Sequence, residues 1–344
     1  MKALIRKSNE AGQFYFEETE KPTIEATEAL IRIKAVGVCG TDYHMWKGEL
    51  STIVPLIPGH ELCGIVEDVG KKVTNVKPGD KVVSRLNIDV CGICRMCLTG
   101  NAHMCVERRC PGFKIQGAYA EYIAIDANQL IKLTDGVSFE EGAFVEPMAI
   151  VTHALLERTK IEPEDKVVIF GPGPIGLIAA QMVRIYGASK VVVVGIESDY
   201  KIRMALASHL GVDYLLNSQS QDVESEIMKI TEGKGADIVI ETSGSEQCVN
   251  IGLKILRNQG RMCVLGLPSK HESVIDWLTA CEKSLAVVFS YSSSPWSWEI
   301  ATSLLKRGGI NIKRLITHTY PLSSYMDMFE EMGKGNVVKG IFLP

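Results

Sequence analysis

The sequence predicts an α/β protein with two domains, a small all-β, barrel-like domain and a doubly wound parallel sheet. The chain has 344 residues, and domains average about 150 residues, so two domains are expected. In the first 150 residues, short apolar stretches are separated by glycines and turns, which is typical of small β-barrels. From residue 166 onward, apolar runs alternate with longer amphipathic runs, and this βα rhythm indicates a parallel sheet.

Strand predictions in the first domain rest on alternation and on turn residues. Residues 29–36 alternate apolar and charged side chains, as a half-buried strand does. The turn at residues 78–80 (Pro-Gly-Asp) separates predicted strands at 66–69 and 81–83, and residues 117–125 continue the pattern. We therefore expect a small β domain here.

In the second domain, apolar runs that suit strands buried on both faces alternate with helical stretches. After a helix at 149–158, the predicted strands are 167–170, 191–194, 238–241 and 262–265, and the predicted helices are 175–186, 200–210 and 246–256.

The regular rhythm fades after residue 287. Helices are predicted at 298–306 and 325–332, and the strand-like segment 337–343 is expected to return to the first domain. We therefore assign residues 1–150, completed by residues 288–344, to the first domain and residues 151–287 to the second.

Charge and composition exclude several classes of protein. The net charge is −4, from 37 basic and 41 acidic residues, which favours neither nucleic-acid nor anionic-membrane binding. No run approaches the roughly 18 apolar residues of a membrane span. The first residues, MKALIRKSNE, lack the apolar segment of a secretion signal. We therefore expect a cytoplasmic protein with no membrane or nucleic-acid partner.

A glycine-rich turn, GPGPIG, follows the first predicted strand of the second domain and opens the next predicted helix. In a dinucleotide-binding fold, Gly171 permits the tight turn, Gly173 lets a pyrophosphate approach the backbone, and Gly176 allows close helix–strand packing. The helix N-terminus offers free N–H groups to the phosphates. The motif predicts a Rossmann-type dinucleotide site; the simpler alternative is a strand–helix turn that happens to contain glycines.

The acidic residue that usually follows the second strand of such a fold, where it binds the adenine ribose, is displaced. Gly195 stands directly after the predicted strand, and Glu197 and Asp199 follow. We predict that Glu197 contacts the ribose; the alternative is a solvated loop acid. Lys201 and Arg203 lie nearby and suit a 2′-phosphate, but Glu197 would repel it. NAD is therefore favoured, and NADP is the alternative.

Four of the ten cysteines lie within one short segment and follow the spacing C-x2-C-x2-C-x7-C. In a chain without an export signal, such clustering indicates a metal site and not a disulfide framework. Four thiolates fill a tetrahedral shell around Zn²⁺ and leave no position for a substrate. A structural zinc site is predicted, against the alternative of ordinary buried thiols. Its ligands are Cys91, Cys94, Cys97 and Cys105.

Three separate fragments suggest a second metal site. CGTDYH begins at Cys39, GHELCG contains His60 and Glu61, and VEP contains Glu146. Each fragment alone has a structural interpretation. Together they offer thiolate, imidazole and carboxylate ligands, a mixed shell suited to an open catalytic zinc. Glu61 and Glu146 are competing candidates for the third protein ligand.

The chain resembles the zinc-dependent medium-chain alcohol dehydrogenases, in the polyol branch with sorbitol, threonine and galactitol-phosphate dehydrogenases. The segments that carry the resemblance are GVCGTDYH, PGHE, the four-cysteine segment, GAYAEY, the Glu-Pro pair at 146–147 and GPGPIG. They occur in order along nearly the whole chain. The resemblance implies a GroES-like catalytic domain, completed by the C-terminal segment, and an inserted Rossmann domain.

The resemblance also implies roles for individual residues. Thr41 and His44 match proton-relay positions. The positions similar to catalytic zinc ligands are Cys39, His60, Glu61 and Glu146, the last binding directly or through water. The positions similar to cofactor contacts are Ile175, Arg203, Leu265, Gly266, Leu267, Phe289 and Ser290.

These roles describe the oxidation of a secondary alcohol. Zinc would lower the pKa of the alcohol, Thr41 and His44 would pass the proton to solvent, and the nicotinamide would accept the hydride. We expect a polyol, sugar acid or sugar-alcohol phosphate as substrate, two zinc ions per subunit, and a homodimer or homotetramer. Met45 and Ser290 depart from the sorbitol enzymes, so sorbitol itself is not the expected substrate. The alternatives are oxidation of an amino alcohol such as L-threonine and, in a different class, a catalytically silent cofactor-binding protein.

Overall fold

The computed structural model describes residues 1–86, 89–268 and 271–344. Its strands are β1 (Lys2–Arg6), β2 (Phe14–Glu18), β3 (Glu28–Val38), β4 (Glu61–Val69), β5 (Lys81–Ser84), β6 (Tyr122–Asp126), β7 (Leu130–Lys132), β8 (Lys166–Phe170), β9 (Lys190–Gly195), β10 (Tyr214–Asn217), β11 (Ala236–Glu241), β12 (Leu256–Val264), β13 (Ala286–Phe289), β14 (Ile316–Pro321) and β15 (Lys339–Leu343).

The α-helices are α1 (Gly40–Trp46), α2 (Arg95–Leu98), α3 (Phe139–Gly142), α4 (Val145–Thr152), α5 (Pro174–Ile185), α6 (Ala205–Ala207), α7 (Val223–Ile230), α8 (Glu246–Ile255), α9 (Trp277–Glu282), α10 (Pro295–Lys306) and α11 (Tyr325–Gly333). Two segments, His153–Thr159 and Tyr200–Met204, are π-helical. The described chain forms two compact units. Unit 1 comprises Met1–Pro147, Ser294–Gly308 and Ile316–Pro344, and unit 2 comprises Met148–Ser293 and Gly309–Leu315.

Unit 1 is built on a seven-stranded sheet in which β3 is the longest strand. The strand order is β14-β15-β3-β4-β5-β7, and β6 pairs with the first half of β3. The apolar residues of β3, among them Ile31 and Ile33, enter the core of this unit, which explains the alternation in the sequence. Strand β15 pairs antiparallel with β3, so the expected return of the C-terminal segment to the first domain is confirmed.

The other predicted strands of unit 1 differ in accuracy. The predictions at 66–69 and 81–83 fall within β4 and β5. The prediction at 117–125 was too early, because the strand there, β6, covers only Tyr122–Asp126. The preceding residues instead bond to other segments; the N–H of Gly117, for example, donates to the carbonyl of Ile57.

Unit 2 contains a six-stranded parallel sheet with the order β10-β9-β8-β11-β12-β13. From β8 the chain adds β9 and β10 on one side of the sheet, and from β11 it adds β12 and β13 on the other side. The loops that leave the carboxyl ends of β8 and β11 therefore run in opposite directions. Such a switch point is where open α/β sheets bind ligands. The predicted doubly wound sheet is confirmed.

Most predicted elements of unit 2 agree with the structure. The helix predicted at 149–158 is π-helical from His153 onward, and the helix predicted at 200–210 is also an exception. That segment is π-helical at Tyr200–Met204 and α-helical only at Ala205–Ala207. Strands β10 and β13 were not predicted, because each is only four residues long and begins with an exposed residue. Among the described residues, no helix has both the length and the apolar character needed to cross a bilayer.

Candidate functional site

The four clustered cysteines lie together in unit 1. Their ligand atoms are all within 4.8 Å of one another. The Sγ–Sγ distances are 3.5 Å for Cys94–Cys97, 3.6 Å for Cys91–Cys105 and 3.9 Å for Cys91–Cys97. Four thiolates at about 2.3 Å from a tetrahedral Zn²⁺ are about 3.8 Å apart. The observed distances therefore fit a tetrahedral zinc site.

Backbone N–H groups in the same loop suit thiolates. The N–H of Cys94 donates to Cys91 Sγ at 3.3 Å, and the N–H of Cys91 donates to Cys105 Sγ at 3.5 Å. The latter contact lowers the pKa of Cys105 to about 7. Because the thiolate is the form that binds metal, this contact favours metal binding by Cys105 near neutral pH. In the metal-free cluster, burial and hydrogen bonds with the neighbouring thiols raise the pKa of Cys97 to about 12.

The second cluster forms where β3 ends and β4 begins. The two strands are antiparallel, so Cys39, directly after β3, meets His60 and Glu61, at the start of β4. The ligand atoms of these three residues are within 4.8 Å of one another, and His60 and Glu61 are buried. Three protein ligands of this kind leave one position of a tetrahedral zinc open, as catalytic zinc sites require.

Glu61 is paired with a lysine from the C-terminal strand. Lys339 Nζ donates to Glu61 Oε1 at 2.6 Å and also contacts Oε2, and both side chains are only 2% exposed. Burial lowers the pKa of Lys339, but Glu61 and Cys39 outweigh it and raise the pKa above its usual value. No sequence motif points to Lys339, because 278 positions separate it from Glu61.

The Glu61 carboxylate also depends on a glycine in the neighbouring strand. Gly37 of β3 pairs with Glu61 of β4. A Cβ at Gly37 would lie 1.9 Å from Glu61 Oε2. The carboxylate thus lies against the backbone of β3, and a larger side chain at this position would displace it.

Asp42 and Tyr119 support the cluster and have no role in the sequence-based prediction. Asp42 Oδ2 accepts hydrogen bonds from the Cys39 N–H at 2.9 Å and from the Tyr119 hydroxyl at 2.7 Å. Asp42 Oδ1 lies 3.8 Å from His60 Nδ1, and within the described chain neither atom has a hydrogen-bond partner. At 3.8 Å the Asp42 carboxylate acts on His60 through its charge and makes no hydrogen bond to the ring. Asp42 stands inside the CGTDYH fragment, so its acidic side chain was an available signal.

Glu146 is buried close to this cluster but is not one of its three members. Burial raises the pKa of Glu146 to about 7; His60 acts in the opposite direction, and Glu61 raises the pKa further. Within the described chain, the Glu146 carboxylate is not among the ligand atoms that lie within 4.8 Å of one another at this cluster. Of the two competing acids, Glu61 is the one that lies with Cys39 and His60.

Thr41 and His44 both lie on α1, in different surroundings. Thr41 Oγ1 is 3.5 Å from Cys39 Sγ. The His44 side chain is 56% exposed, and its Nδ1 is 2.6 Å from Glu49 Oε2. The structure therefore places Thr41 at the cluster and His44 at the surface of unit 1.

In unit 2, the glycine-rich turn joins β8 to α5. Gly171 has a φ of 96°, a value that L-residues rarely adopt, and a Cβ at Gly176 would lie 2.0 Å from the Gly171 carbonyl oxygen. At Gly173, a Cβ would meet no protein atom within 4 Å. Pro174 and Ile175 open the 12-residue helix α5, whose N-terminal N–H groups suit a phosphate.

Glu197 and Arg203 follow β9, and both have partners. Glu197 Oε2 accepts a hydrogen bond from Asn217 Nδ2 at 2.6 Å. Arg203 Nη1 donates to Asp199 Oδ1 at 3.2 Å. The acid and the base predicted near the adenine ribose thus lie on the carboxyl side of β9.

A cavity of about 310 Å³ lies at the carboxyl ends of β11, β12 and β13. Most of its lining is apolar. It includes five of the predicted cofactor contacts, which lie at or directly after the ends of β12 and β13: Leu265, Gly266, Leu267, Phe289 and Ser290.

Two residues at the end of β11, neither of them predicted, connect the loops near this cavity. Thr242 Oγ1 donates to the Phe170 carbonyl at 2.7 Å. The buried Glu241 carboxylate accepts from the N–H groups of Ser243 at 2.7 Å and Gly244 at 3.0 Å. These bonds hold the β8 and β11 loops in the shape that lines the switch point.

Two family models match the chain. The model of the alcohol dehydrogenase GroES-like domain matches residues 25–135, and that of the zinc-binding dehydrogenase matches residues 174–307. The first match contains both candidate metal clusters. The predicted combination of a GroES-like domain and a Rossmann domain is confirmed.

Individual relatives match over nearly their whole length. Sorbitol dehydrogenase of Halalkalibacterium halodurans is 33% identical over 100% of this chain and 99% of its own length. D-arabitol-phosphate dehydrogenase of Enterococcus avium is 34% identical over 98% of this chain and 96% of its own. A solved structure from Sinorhizobium meliloti 1021, described as a zinc-binding dehydrogenase and bound to NADP, has a TM-score of 0.92 at 28% identity and covers 100% of this chain and 99% of its own.

Proposed function

The chain belongs to the zinc-dependent medium-chain dehydrogenases, in the polyol branch, and is an oxidoreductase of alcohols; we propose that it oxidises a secondary alcohol of a polyol, sugar acid or sugar-alcohol phosphate to the ketone, with NAD as the hydride acceptor. The observation that carries the proposal is the cluster of Cys39, His60 and Glu61, whose ligand atoms converge within 4.8 Å. These three ligands leave a fourth position for an alcohol.

In this proposal, Cys39, His60 and Glu61 hold the catalytic zinc, and Glu146 is a second acidic group buried beside them. The chemistry that zinc supplies at such a site is Lewis acidity, which makes an alcohol proton easier to remove. Asp42 places its negative charge beside the His60 ring, with Oδ1 3.8 Å from Nδ1. A second, structural zinc is held by Cys91, Cys94, Cys97 and Cys105.

Thr41 and His44 carry the proton away in this proposal. The Thr41 hydroxyl lies 3.5 Å from Cys39 Sγ, so it can accept a proton from an alcohol held at the cluster. His44 is on the same helix and is exposed, so it can pass the proton to solvent. The Glu49 carboxylate, 2.6 Å from His44 Nδ1, holds the imidazole ring at this position.

Unit 2 binds the cofactor in this proposal. The pyrophosphate lies against Gly171, Gly173 and Gly176 at the N-terminus of α5, with Ile175 beside it. The nicotinamide occupies the cavity lined by Leu265, Gly266, Leu267, Phe289 and Ser290. Glu197 accepts a hydrogen bond from the adenine ribose, and Arg203 lies nearby. A carboxylate at the ribose favours NAD because it repels a 2′-phosphate.

The test is a reduction assay on purified protein of measured zinc content. NAD and NADP are compared against polyols, their phosphates, sugar acids and L-threonine, with a His60→Ala variant as the inactive reference and His209→Ala as a surface control. The expected result is NAD reduction by one polyol group that is lost with a chelator and in His60→Ala. Activity on L-threonine alone would assign the amino-alcohol alternative. NADH binding without any activity at full zinc occupancy would assign a silent cofactor-binding protein.

We also propose a homodimer or homotetramer in the cytoplasm. Strand β13 is at an edge of the parallel sheet, and large apolar side chains near it, including Val274, Leu278 and Phe289, are exposed. A second copy of the chain would cover such side chains. All ten cysteines are free thiols, as in a reducing compartment. Light scattering on the purified protein and cell fractionation test these two points.

A further inference from the structure

The acidic residue beside the end of β9, Glu197, stands two positions after the last residue of the strand. Dinucleotide-binding sheets usually place an acid at the end of this strand to bind the adenine ribose. Here Gly195 ends β9, and Glu197 follows in a 3₁₀ turn. Resting on the proposed function, we propose that Asn217 is a specificity-determining residue. Its side chain holds the Glu197 carboxylate at the ribose position and so makes the enzyme prefer NAD to NADP.

The space around Gly195 explains why no acid stands there. A Cβ at this position would lie 3.0 Å from Met204 Sδ and 3.1 Å from both Asp199 Oδ2 and Pro172 Cγ. Such contacts are tighter than ordinary van der Waals distances, and a carboxylate there would also face the Asp199 carboxylate. The ribose acid must therefore come from another position.

Asp199 is committed to the turn itself. Its Oδ2 accepts a hydrogen bond from the Ile196 N–H at 3.1 Å, and its Oδ1 accepts from Arg203 Nη1 at 3.2 Å. The side chain is mostly buried. The same ion pair partly neutralises Arg203, the cation that a 2′-phosphate would need. Glu197 is therefore the acid that remains for the ribose.

Asn217 fixes where that carboxylate lies. It ends β10 and pairs in register with Gly195 of β9, so it stands at the carboxyl edge of the sheet. Asn217 Nδ2 donates to Glu197 Oε2 at 2.6 Å, and the Glu197 N–H donates to Gln219 Oε1 at 3.0 Å. Glu197 is thus held by its side chain and by its backbone.

The Asn217 amide is itself held in one orientation. Its Oδ1 accepts from the Gln219 N–H at 3.0 Å, which leaves Nδ2 to face Glu197. Asn217 is 5% exposed, whereas Glu197 is exposed, so a ribose can reach the Glu197 carboxylate. In the described chain, the bond from Asn217 is the only one that the Glu197 carboxylate accepts. Oε1 therefore remains to accept a ribose hydroxyl, and the negative charge opposes a 2′-phosphate.

The experiment measures the affinities of the full chain for NADH and NADPH by fluorescence titration. The variants are Asn217→Leu, Glu197→Gln and the double variant. Asn217→Ala is the second substitution, because it also removes the donor to Glu197 and adds neither charge nor bulk. The matched control is Asn336→Leu, which removes an Asn–Glu hydrogen bond of the same length, 2.6 Å, from unit 1.

We expect the unsubstituted protein to bind NADH more tightly than NADPH. Asn217→Leu and Asn217→Ala lower the NADH:NADPH affinity ratio about tenfold, as the loss of one hydrogen bond to a charged group predicts. Glu197→Gln lowers the ratio at least as much, and the double variant adds little because both changes remove the same interaction. Asn336→Leu leaves the ratio unchanged.

The affinity ratio separates specificity from general damage, because partial unfolding lowers both affinities together. An unchanged ratio in the folded Asn217 variants, with a lowered ratio in Glu197→Gln, would overturn the role of Asn217. A preference of the unsubstituted protein for NADPH would overturn the role of Asn217 and the choice of NAD as cofactor, and would leave the proposed alcohol oxidation standing. If the unsubstituted protein bound neither cofactor, both proposals would fall.

Discussion

The buried pair of Lys339 and Glu61 makes a prediction about stability and zinc. In Lys339→Met, the new side chain has a similar length but no charge, so the Glu61 carboxylate stays buried without its partner. Removing one member of a buried pair costs about 3–5 kcal/mol, and the 2% exposure of both side chains supports the full range. We expect that loss of unfolding free energy in zinc-free protein. In zinc-loaded protein the loss is smaller, because the cation replaces the missing positive charge beside Glu61.

The assay is urea unfolding of the variant and the unsubstituted protein, each with zinc and with a chelator. The matched control is Lys7→Met, which removes the lysine 2.7 Å from Glu17; these two side chains are 48% and 37% exposed. Exposed pairs contribute about 0–1 kcal/mol, so this control changes little. The double variant with Glu61→Gln recovers part of the loss, because it also removes the uncompensated charge.

Two results would refute this reasoning. A loss below about 1 kcal/mol in zinc-free Lys339→Met would mean that water or another group compensates Glu61. An equal loss with and without zinc would mean that no cation binds beside Glu61, which would also count against Glu61 as a zinc ligand.

Three further predictions follow from the same contacts. Cys94→Ser lowers the stability of the protein and removes one zinc ion per chain, whereas His60→Ala abolishes turnover and leaves the fold intact. Unfolding curves and metal analysis test both, and an equal loss of folding in the two variants would contradict the distinction between a structural and a catalytic site. Gly37→Ala pushes Glu61 aside and lowers kcat about 10–100-fold in a folded protein, and unsubstituted activity would contradict it. Hydrogen bonds in the N-cap of α7 lower the pKa of Asp222, so the stabilisation by its carboxylate is present above the pKa of the unfolded chain and is lost as pH falls through the folded pKa. The loss of unfolding free energy in Asp222→Ala should therefore be present at pH 7 and shrink toward pH 3. A loss that does not vary with pH would exclude an ionised cap.

Parts of the fold and site that depend on neighbouring residues were predictable from the chain alone. The spacing of the four cysteines brings their Sγ atoms within metal-binding distance because short turns connect them. The GPGPIG turn lies between β8 and α5, as the apolar run before it and the amphipathic run after it predict. Long strands such as β3 were predictable because alternation over many residues is a strong signal. Strands β10 and β13, with four residues each, carry too little pattern to be recognised.

The sequence alone determined that Cys39, His60, Glu61 and Glu146 were candidates, but it left the third ligand open. That choice depends on the pairing of β3 with β4, which places Glu61 against Gly37 and beside Cys39 and His60.

Only the tertiary structure revealed the partners of these residues. Lys339 is 278 positions from Glu61, Tyr119 is 77 from Asp42, and Asn217 is 20 from Glu197. Sequence spacing shows only which residues a short turn can bring together. Which distant strand lies beside a residue is decided by the pairing of the whole sheet, and buried charges find their partners only through that pairing.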